Sequence, residues 1–396
     1  MIEFTTPEAL RQTVVSRVDG YRPLIEDIAV SLYRNPELGL AEVFASRKIR
    51  SLLEDDGFSV EGNLAGMATA FRAGFGVGRP TIAFLAEYDA LPGVGHGCGH
   101  NLIAASSTAA VLACRHTVPP DREGRWLLIG TPAEETVGGK LAMVDAGMFA
   151  DVDAAFIVLH SRRNDLGGRS WASHPLELTF RGRASHAGAS PEDGVNALDA
   201  LVMAYTQIRN LKNSLRDDVR VAGIVTHGGD AQNIVPETAQ ARFTVRARDW
   251  RYLEQVVLPK VRQAAEGAAL AAGARVEFRH HEPLFRETLE HPVLREAVRR
   301  NFEYLGQAIP ADEGGDGGVT DVGGVTWVTP SIQFHFAMTT ARPHSKELAE
   351  DTVAPRGIEA TLTAAKVLAL SALDLAYNPA ARAEAREHLR RAADRR

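Results

Sequence analysis

Two rhythms of hydrophobic and polar positions divide this chain. From about Tyr21 to Asp56 apolar residues recur at helical spacing, interrupted in RNPELGL by Pro36 and Gly39. Short runs that are apolar throughout then alternate with helical stretches. TIAFLAEYD reads as a strand, Leu102–His116 as an alanine-rich helix and WLLIGTP as a strand. Lys140–Ala146 reads as a helix and AAFIVLH as a strand. Strands without a polar face, separated by helices, predict a mostly parallel sheet covered on both sides.

Near Trp171 the pattern changes. LELTFRGR alternates as a strand, Gly194–Asn213 is helical, and VRVAGIVTHGG and AQARFTVRARD are two further strands. A long helix over Arg251–Ala272 and a strand at ARVEFRHHEP follow. The order β-α-β-β-α-β is that of a ferredoxin-like domain. Beyond Pro292 the first rhythm returns, with VTWVTPSIQF as a strand and Val353–Ala376 as a helix. Ala380–Arg396, rich in Ala, Arg and Glu, reads as a solvated terminal helix. The fold class is therefore α/β. A mostly parallel-sheet domain over 1–172 and 288–396 is interrupted by a ferredoxin-like domain over 173–287.

At 396 residues, more than one domain is expected. A hydrophobic share of 45% and a charged share of 24% fit a soluble globular protein. The formal charge of −6, with both signs interspersed, argues against nucleic-acid or membrane-surface binding. No apolar run approaches the ~20 residues of a membrane span. MIEFTTPEALRQ has neither the basic lead nor the apolar core of a signal peptide. The two cysteines, Cys98 and Cys114, exclude a disulfide framework and point to a cytoplasmic location.

The candidate chemistry lies at the ends of the apolar strands. In open parallel sheets ligands bind beyond the carboxyl ends of strands. Asp89, Glu134, Glu135 and His160 each follow a predicted strand, so they should converge. Cys98 and His100 sit in the glycine-rich loop of EYDALPGVGHGCGHNL, where glycines allow the backbone to fold tightly around a small centre. Each residue alone has a plain structural reading, since free cysteines pack and Glu-Glu pairs are usually solvated. Cys114, within a run of Ala and Leu, is read as packing. Together the others form a set of thiolate, imidazole and carboxylate suited to zinc, manganese or cobalt, and large enough for two ions. Of the pair Glu134-Glu135, one would bind metal and the other move a proton.

These stretches resemble the aminoacylase/carboxypeptidase family of two-metal amidohydrolases. The closer likeness is to its p-aminobenzoyl-glutamate hydrolases and β-alanyl-lysine-type dipeptidases. The resemblance runs through NPELGL, EYDALPGVGHGCGHNL, GTPAEETVGGK, VLHS, RASHAGASPEDGVNALDA, QNIVPETAQARFTVRARD, TDVGGVTWVTPSIQFHF and ARPHSKELAED. GGK and Asn101 after CGH match that branch in particular. The resemblance implies Cys98, His100, Glu135, His160 and His344 as metal ligands, with Cys98 bridging two divalent ions, in first place zinc. It implies Glu134 as general base and Asp89 as the residue that orients a ligand. Sequence alone does not separate His344 from His335.

The resemblance further implies that the inserted domain is a dimerisation surface and lid of a homodimer. His186 would reach the partner subunit's site and stabilise the oxyanion. Asn233 and Arg246 would hold a substrate carboxylate, with Arg248 competing for the second role. His96 is near enough to support the centre without being a ligand, and His227, His280 and His281 match no functional position. The implied activity is metal-dependent hydrolysis of an amide between an acyl, aroyl or aminoacyl group and an amino acid with a free carboxylate. A strict dipeptidase and an N-acyl amino acid deacylase are the enzymic alternatives. A metal-free binding or scaffold dimer is the alternative outside catalysis, and the intact ligand set with Glu134 counts against it. A cysteine hydrolase with Cys98 as nucleophile is a third.

Overall fold

A computed structural model describes residues 4–310 and 318–394. The chain forms two compact units, one holding the described residues up to Arg169 and from Thr288 onward, the other Ser170–Glu287. Gly318 joins the second unit, its carbonyl accepting from the Trp171 amide at 2.8 Å. No described helix is long and apolar enough to cross a membrane.

Five strands precede the second unit: β1 (Ser59–Leu64), β2 (Met67–Phe75), β3 (Thr81–Ala86), β4 (Arg125–Gly130) and β5 (Ala154–Ser161). The second unit holds β6 (Ala172–Arg181), β7 (Arg220–His227), β8 (Thr238–Ala247) and β9 (Arg275–Arg279). The last strand, β10 (Ser331–Ala337), returns to the first unit.

The first sheet has the order β1-β2-β4-β3-β5-β10, and β4, β3, β5 and β10 are parallel to one another. β3 is buried at every position and β4 at all but its first, as expected of strands covered on both faces. The helices His100–Thr117 and Pro355–Tyr377 pack on one face with Phe84, Leu128, Phe156 and Phe334. Both are buried around most of their circumference, which explains alanine-rich sequences with little amphipathic contrast. Ile103, Met143, Phe149, Val322 and Val325 help fill a smaller core against Ala83, Leu85, Ile129 and Ile157.

One element goes unannounced in the sequence, and two expectations need correction. The pair β1–β2 is an antiparallel hairpin on the edge, turning through Ala65 and Gly66 at positive φ, and no long apolar run announces it. VTWVTPSIQF is not one strand: Val322–Thr326 is a short helix and pairing begins only at Ser331, after Pro330. The terminal helix Pro379–Asp394 is not wholly solvated, since Ala381 and Ala385 are buried and Arg386 pairs with Asp153. Residues 395–396 lie outside the described residues.

In the second unit β7-β8-β6-β9 form an antiparallel sheet. The helices Ala197–Asn210 and Leu258–Ala271 pack on it over Leu176, Leu178, Phe180, Phe243 and Val245. β8 alternates buried and outward residues along its length. The helix expected from Arg251 begins with an α-helical turn, Trp250–Tyr252, and passes through a π-helical stretch, Leu253–Val257, before the regular helix. Pro259 explains it: a proline lacks the N–H and crowds the carbonyl a turn earlier, and a wider turn relieves both. The edge strand β7 exposes Ile224 and Val225, and the neighbouring helix exposes Val202.

Candidate active site

The ends of β3, β4 and β5 bring the predicted residues of the first unit together. Past β3, the carboxylate of Asp89 is buried and does two things at once. Its Oδ1 is 2.8 Å from His100 Nδ1, and its Oδ2 accepts the backbone N–H of Glu135 at 2.9 Å. The first contact places the Nδ1 proton between ring and carboxylate, so the opposite nitrogen, Nε2, faces the site. The second ties the loop after β4 to the loop after β3. Asp89 is therefore held well ionised: burial raises its carboxyl, but His100 and the Glu135 amide outweigh that and bring it below its ordinary value.

Cys98, His100 and Glu135 each offer an atom within 4.8 Å of the others, a spacing at which one ion can touch all three. His100 Nε2 is 3.9 Å from Glu135 Oε1, and His344 Nε2 is 3.6 Å from the same oxygen. His344 is brought there by its backbone N–H, which donates to Gly97 O at 3.0 Å. His335, the alternative, is engaged elsewhere: its Nδ1 lies 2.6 Å from Asp165 Oδ1. His160, next to last in β5, lies behind Gly99, whose φ is +66° and whose missing Cβ would lie 2.7 Å from His160 Nδ1. CGH thus needs its central glycine twice over, for backbone conformation and for room.

Two buried atoms of this cluster have no hydrogen-bond partner among the described residues: Glu135 Oε1 and His160 Nδ1. Burial, with the nearby rings of His100, His335 and His344, pushes His160 down to about 3, so the ring is neutral and offers a lone pair. Burial also lowers His100, but Asp89, Cys98 and Glu87 outweigh it and hold that ring well above its usual value. Burial pushes the Cys98 thiol up to about 12; His100 opposes the rise, and Glu135 and Glu134 add to it. A thiol raised by burial in this way is a poor unaided nucleophile, because the thiolate is the reactive form. The donor set of sulfur, imidazole and carboxylate, the orphaned Glu135 oxygen and the orphaned His160 nitrogen all fit a divalent cation.

Glu134 is half-buried. Burial and the carboxylates of Glu87 and Asp321 hold its carboxyl well above the usual range, opposed by His100 and Lys140. The strained residue before it, Ala133 at φ +62°, is fixed by its N–H, which donates to the buried carboxylate of Glu42 at 2.8 Å. His96 is buried, neither ring nitrogen has a hydrogen-bond partner among the described residues, and burial lowers it to about 4. Asn101 turns away from the cluster, its amide donating to Ala29 O and Thr352 Oγ1. Cys114 is buried in the main core.

The remaining candidates lie in the second unit. His186 is exposed, and its Nδ1 accepts the N–H groups of Gly188 (3.2 Å) and Ala189 (3.1 Å). Those bonds leave the Nε2 as the proton-bearing nitrogen of the neutral ring. His186 bridges to Ile234, and Ala187 N–H donates to Asn233 O at 3.0 Å, so His186 and Asn233 are neighbours. Arg246 is half-buried on the outward side of β8, while Arg248, past its end, lies 5.5 Å from the Trp171 ring centroid.

Four buried residues at or near the cluster escape sequence reasoning: Glu42, Glu87, Lys140 and Asp321. Lys140 stands out only as part of GGK. A lysine at the first turn of a helix gives no sign of burial unless its partners are known.

Residues 173–271 match the peptidase dimerisation domain of the M20 family. The Xaa-Arg dipeptidase of Mus musculus is 33% identical over 94% of this chain and 90% of its own length. A p-aminobenzoyl-glutamate hydrolase polypeptide of Escherichia coli K12 is 33% identical over 66% of this chain and 58% of its own. A dinuclear metal-binding peptidase of the M20 family from Bacillus subtilis superposes with a TM-score of 0.68 at 21% identity, covering 90% of this chain and 99% of that one.

Proposed function

Since the chain belongs to the M20 family of metallopeptidases and is a metal-dependent hydrolase, we propose that it cleaves an amide between an acyl, aroyl or aminoacyl group and an amino acid with a free carboxylate. Substrates would be p-aminobenzoyl-glutamate-like conjugates or dipeptides. Cys98, His100, Glu135, His160 and His344 would hold two divalent ions, zinc, manganese or cobalt. When bound, such ions polarise a carbonyl and acidify a water.

The protein's own groups do the rest. Asp89 fixes the His100 ring and the Glu135 backbone, so both donors keep their direction. Glu134, with a carboxyl more basic than an ordinary glutamate, takes a proton from the attacking water and returns it to the departing amine. His186, with its proton on Nε2, is suited to donate a hydrogen bond to a developing oxyanion. In a homodimer it would serve the partner subunit's site, and the exposed apolar edge of β7 supports such pairing. Asn233 and Arg246 would bind the substrate carboxylate, with Arg248 as the alternative to Arg246. Closure of the second unit as a lid would exclude water. The cytoplasm is the compartment that suits an unpaired Cys98.

The observation that carries this reading is the convergence of Cys98, His100 and Glu135 beside a buried carboxylate oxygen without a donor. A strict dipeptidase reading is favoured by the 90% coverage of the Xaa-Arg dipeptidase. The test is metal content after purification without added metal. It is paired with assays on p-aminobenzoyl-glutamate, a β-alanyl dipeptide and an N-acetyl amino acid before and after chelation. Two ions per chain and chelator-sensitive release of the amino acid are expected. No metal, and no activity on adding zinc, manganese or cobalt, would leave a binding protein instead.

A further inference from the structure

Beside the cluster lie three buried charged side chains that the ligand set leaves unused. Glu87 follows β3 directly and is 1% exposed. Its Oε1 accepts from the Lys140 ammonium at 2.5 Å. The same ammonium donates to Asp321 Oδ1 at 2.7 Å, and Asp321 Oδ2 accepts the Lys140 backbone N–H at 3.0 Å. The Lys140 and Asp321 side chains are wholly buried. The other oxygen of Glu87, Oε2, stands 3.4 Å from His100 Nε2.

That last approach needs a reason. The Nδ1 proton of His100 goes to Asp89, so the neutral ring would present a lone pair to a carboxylate oxygen. Only a cation makes such a contact favourable, either a proton on Nε2 or an ion bound by both groups. Two donors bound to one tetrahedral ion at about 2.0–2.1 Å stand about 3.4 Å apart. The observed separation matches one edge of such a shell, with Glu87 placed beside and not within the group of Cys98, His100 and Glu135. Lys140 and Asp321 meanwhile anchor Oε1, which prevents Glu87 from turning away. Stability alone is a weak reason for such a triad, since buried ion pairs can often be replaced by apolar side chains without loss.

We propose that Glu87 presents Oε2 to the metal centre as a further oxygen donor, and that Lys140 and Asp321 are positioning residues that hold it there. The proposal rests on the metallohydrolase reading above. Its consequence is a centre shifted toward manganese, because carboxylate oxygen suits that ion better than it suits zinc.

The test is calorimetric titration of the metal-free chain with Mn²⁺ alone and Zn²⁺ alone, without substrate. Wild type should take up two ions. E87Q should lose about ten- to a hundredfold in affinity for at least one of them, more for Mn²⁺ than for Zn²⁺. K140M should show a smaller loss of the same kind. Because E87Q removes the negative charge beside the Lys140 ammonium, leaving only an amide oxygen to accept from it, circular dichroism and the melting midpoint accompany each titration. The double variant E87Q/K140M removes the Glu87 charge and the ammonium together, leaving Asp321 as the one charged member of the triad, and where it folds it should keep the metal-binding defect. If folded E87Q or the folded double variant binds both metals as tightly as wild type, Glu87 is merely the counter-ion of Lys140 and the proposal falls alone. If wild type itself takes up no ion, the metallohydrolase reading falls and takes this proposal with it.

Discussion

Gly99→Ala would place a methyl group in space that the His160 ring already fills. The added Cβ would lie 2.7 Å from Nδ1 and 3.3 Å from Cε1 and Cγ, whereas ordinary contact begins at 3.4 Å. Relief requires the ring to withdraw by 3.4 − 2.7, about 0.7 Å. Metal–ligand distances tolerate only about ±0.2 Å, so a retreat of that size takes the ring out of coordination. The substitution also forces an L side chain into the left-handed region, at about 1–2 kcal/mol. Gly147→Ala separates the two costs. Gly147 has φ +72°, yet nothing lies within 4 Å of a Cβ there. Urea unfolding of metal-free protein should therefore show a loss of about 1–2 kcal/mol in G147A and at least that in G99A. Zn²⁺ titration should show an affinity drop of tenfold or more, about 1.4 kcal/mol, in G99A only. If G99A binds two ions with wild-type affinity, the His160 ring has no place in the metal shell.

Three further outcomes are expected. Glu134→Gln should retain both ions by elemental analysis yet lose about 10²–10⁴-fold in kcat, the usual contribution of a general base. His344→Ala should lose an ion, while His335→Ala should keep both, because His335 is bound to Asp165. The third is a pH effect on stability at His291, away from the cluster. This ring is buried, with Nε2 3.0 Å from Thr326 O, and burial lowers it to about 4 from an ordinary value of 6.5. The unfolded chain therefore binds a proton below pH 6.5 that the folded chain refuses until about pH 4. The stabilisation is complete above pH 6.5 and is lost as pH falls between those values. At pH 5, 1.5 units below the unfolded value, the loss is about 2 kcal/mol. Unfolding free energies of wild type and His291→Gln from urea titrations should differ in their fall between pH 7.5 and pH 5 by about that amount, and parallel curves would refute it.

Legibility in the sequence follows the length of the apolar runs. β3, β4 and β5 are buried nearly throughout, so each reads as a strand, and the polar residues at or just beyond their ends read as a site. Asp89, Glu134, Glu135 and His160 stand out this way. Residues that reach the cluster along the backbone of another loop do not. His344 is carried in by one bond to Gly97, a contact that no periodicity encodes. The β1–β2 hairpin is hidden because Arg72 and Gly74 break the apolar run of β2.

Glu87 and Lys140 show a different limit. Glu87 continues β3 as TIAFLAE, and its charge looks like the end of the strand. Lys140 opens the helix Gly139–Asp145, a position where a lysine is ordinarily solvated. What makes them a buried unit is their separation in the chain: Lys140 stands 53 residues from Glu87 and 181 from Asp321, and all three have to meet before any of them can be desolvated. An unpaired lysine at that position would cost several kcal/mol to bury. A sequence pattern therefore registers such residues only as local anomalies of charge. Their meaning comes from the carboxylate oxygen left facing His100, which the triad fixes in place.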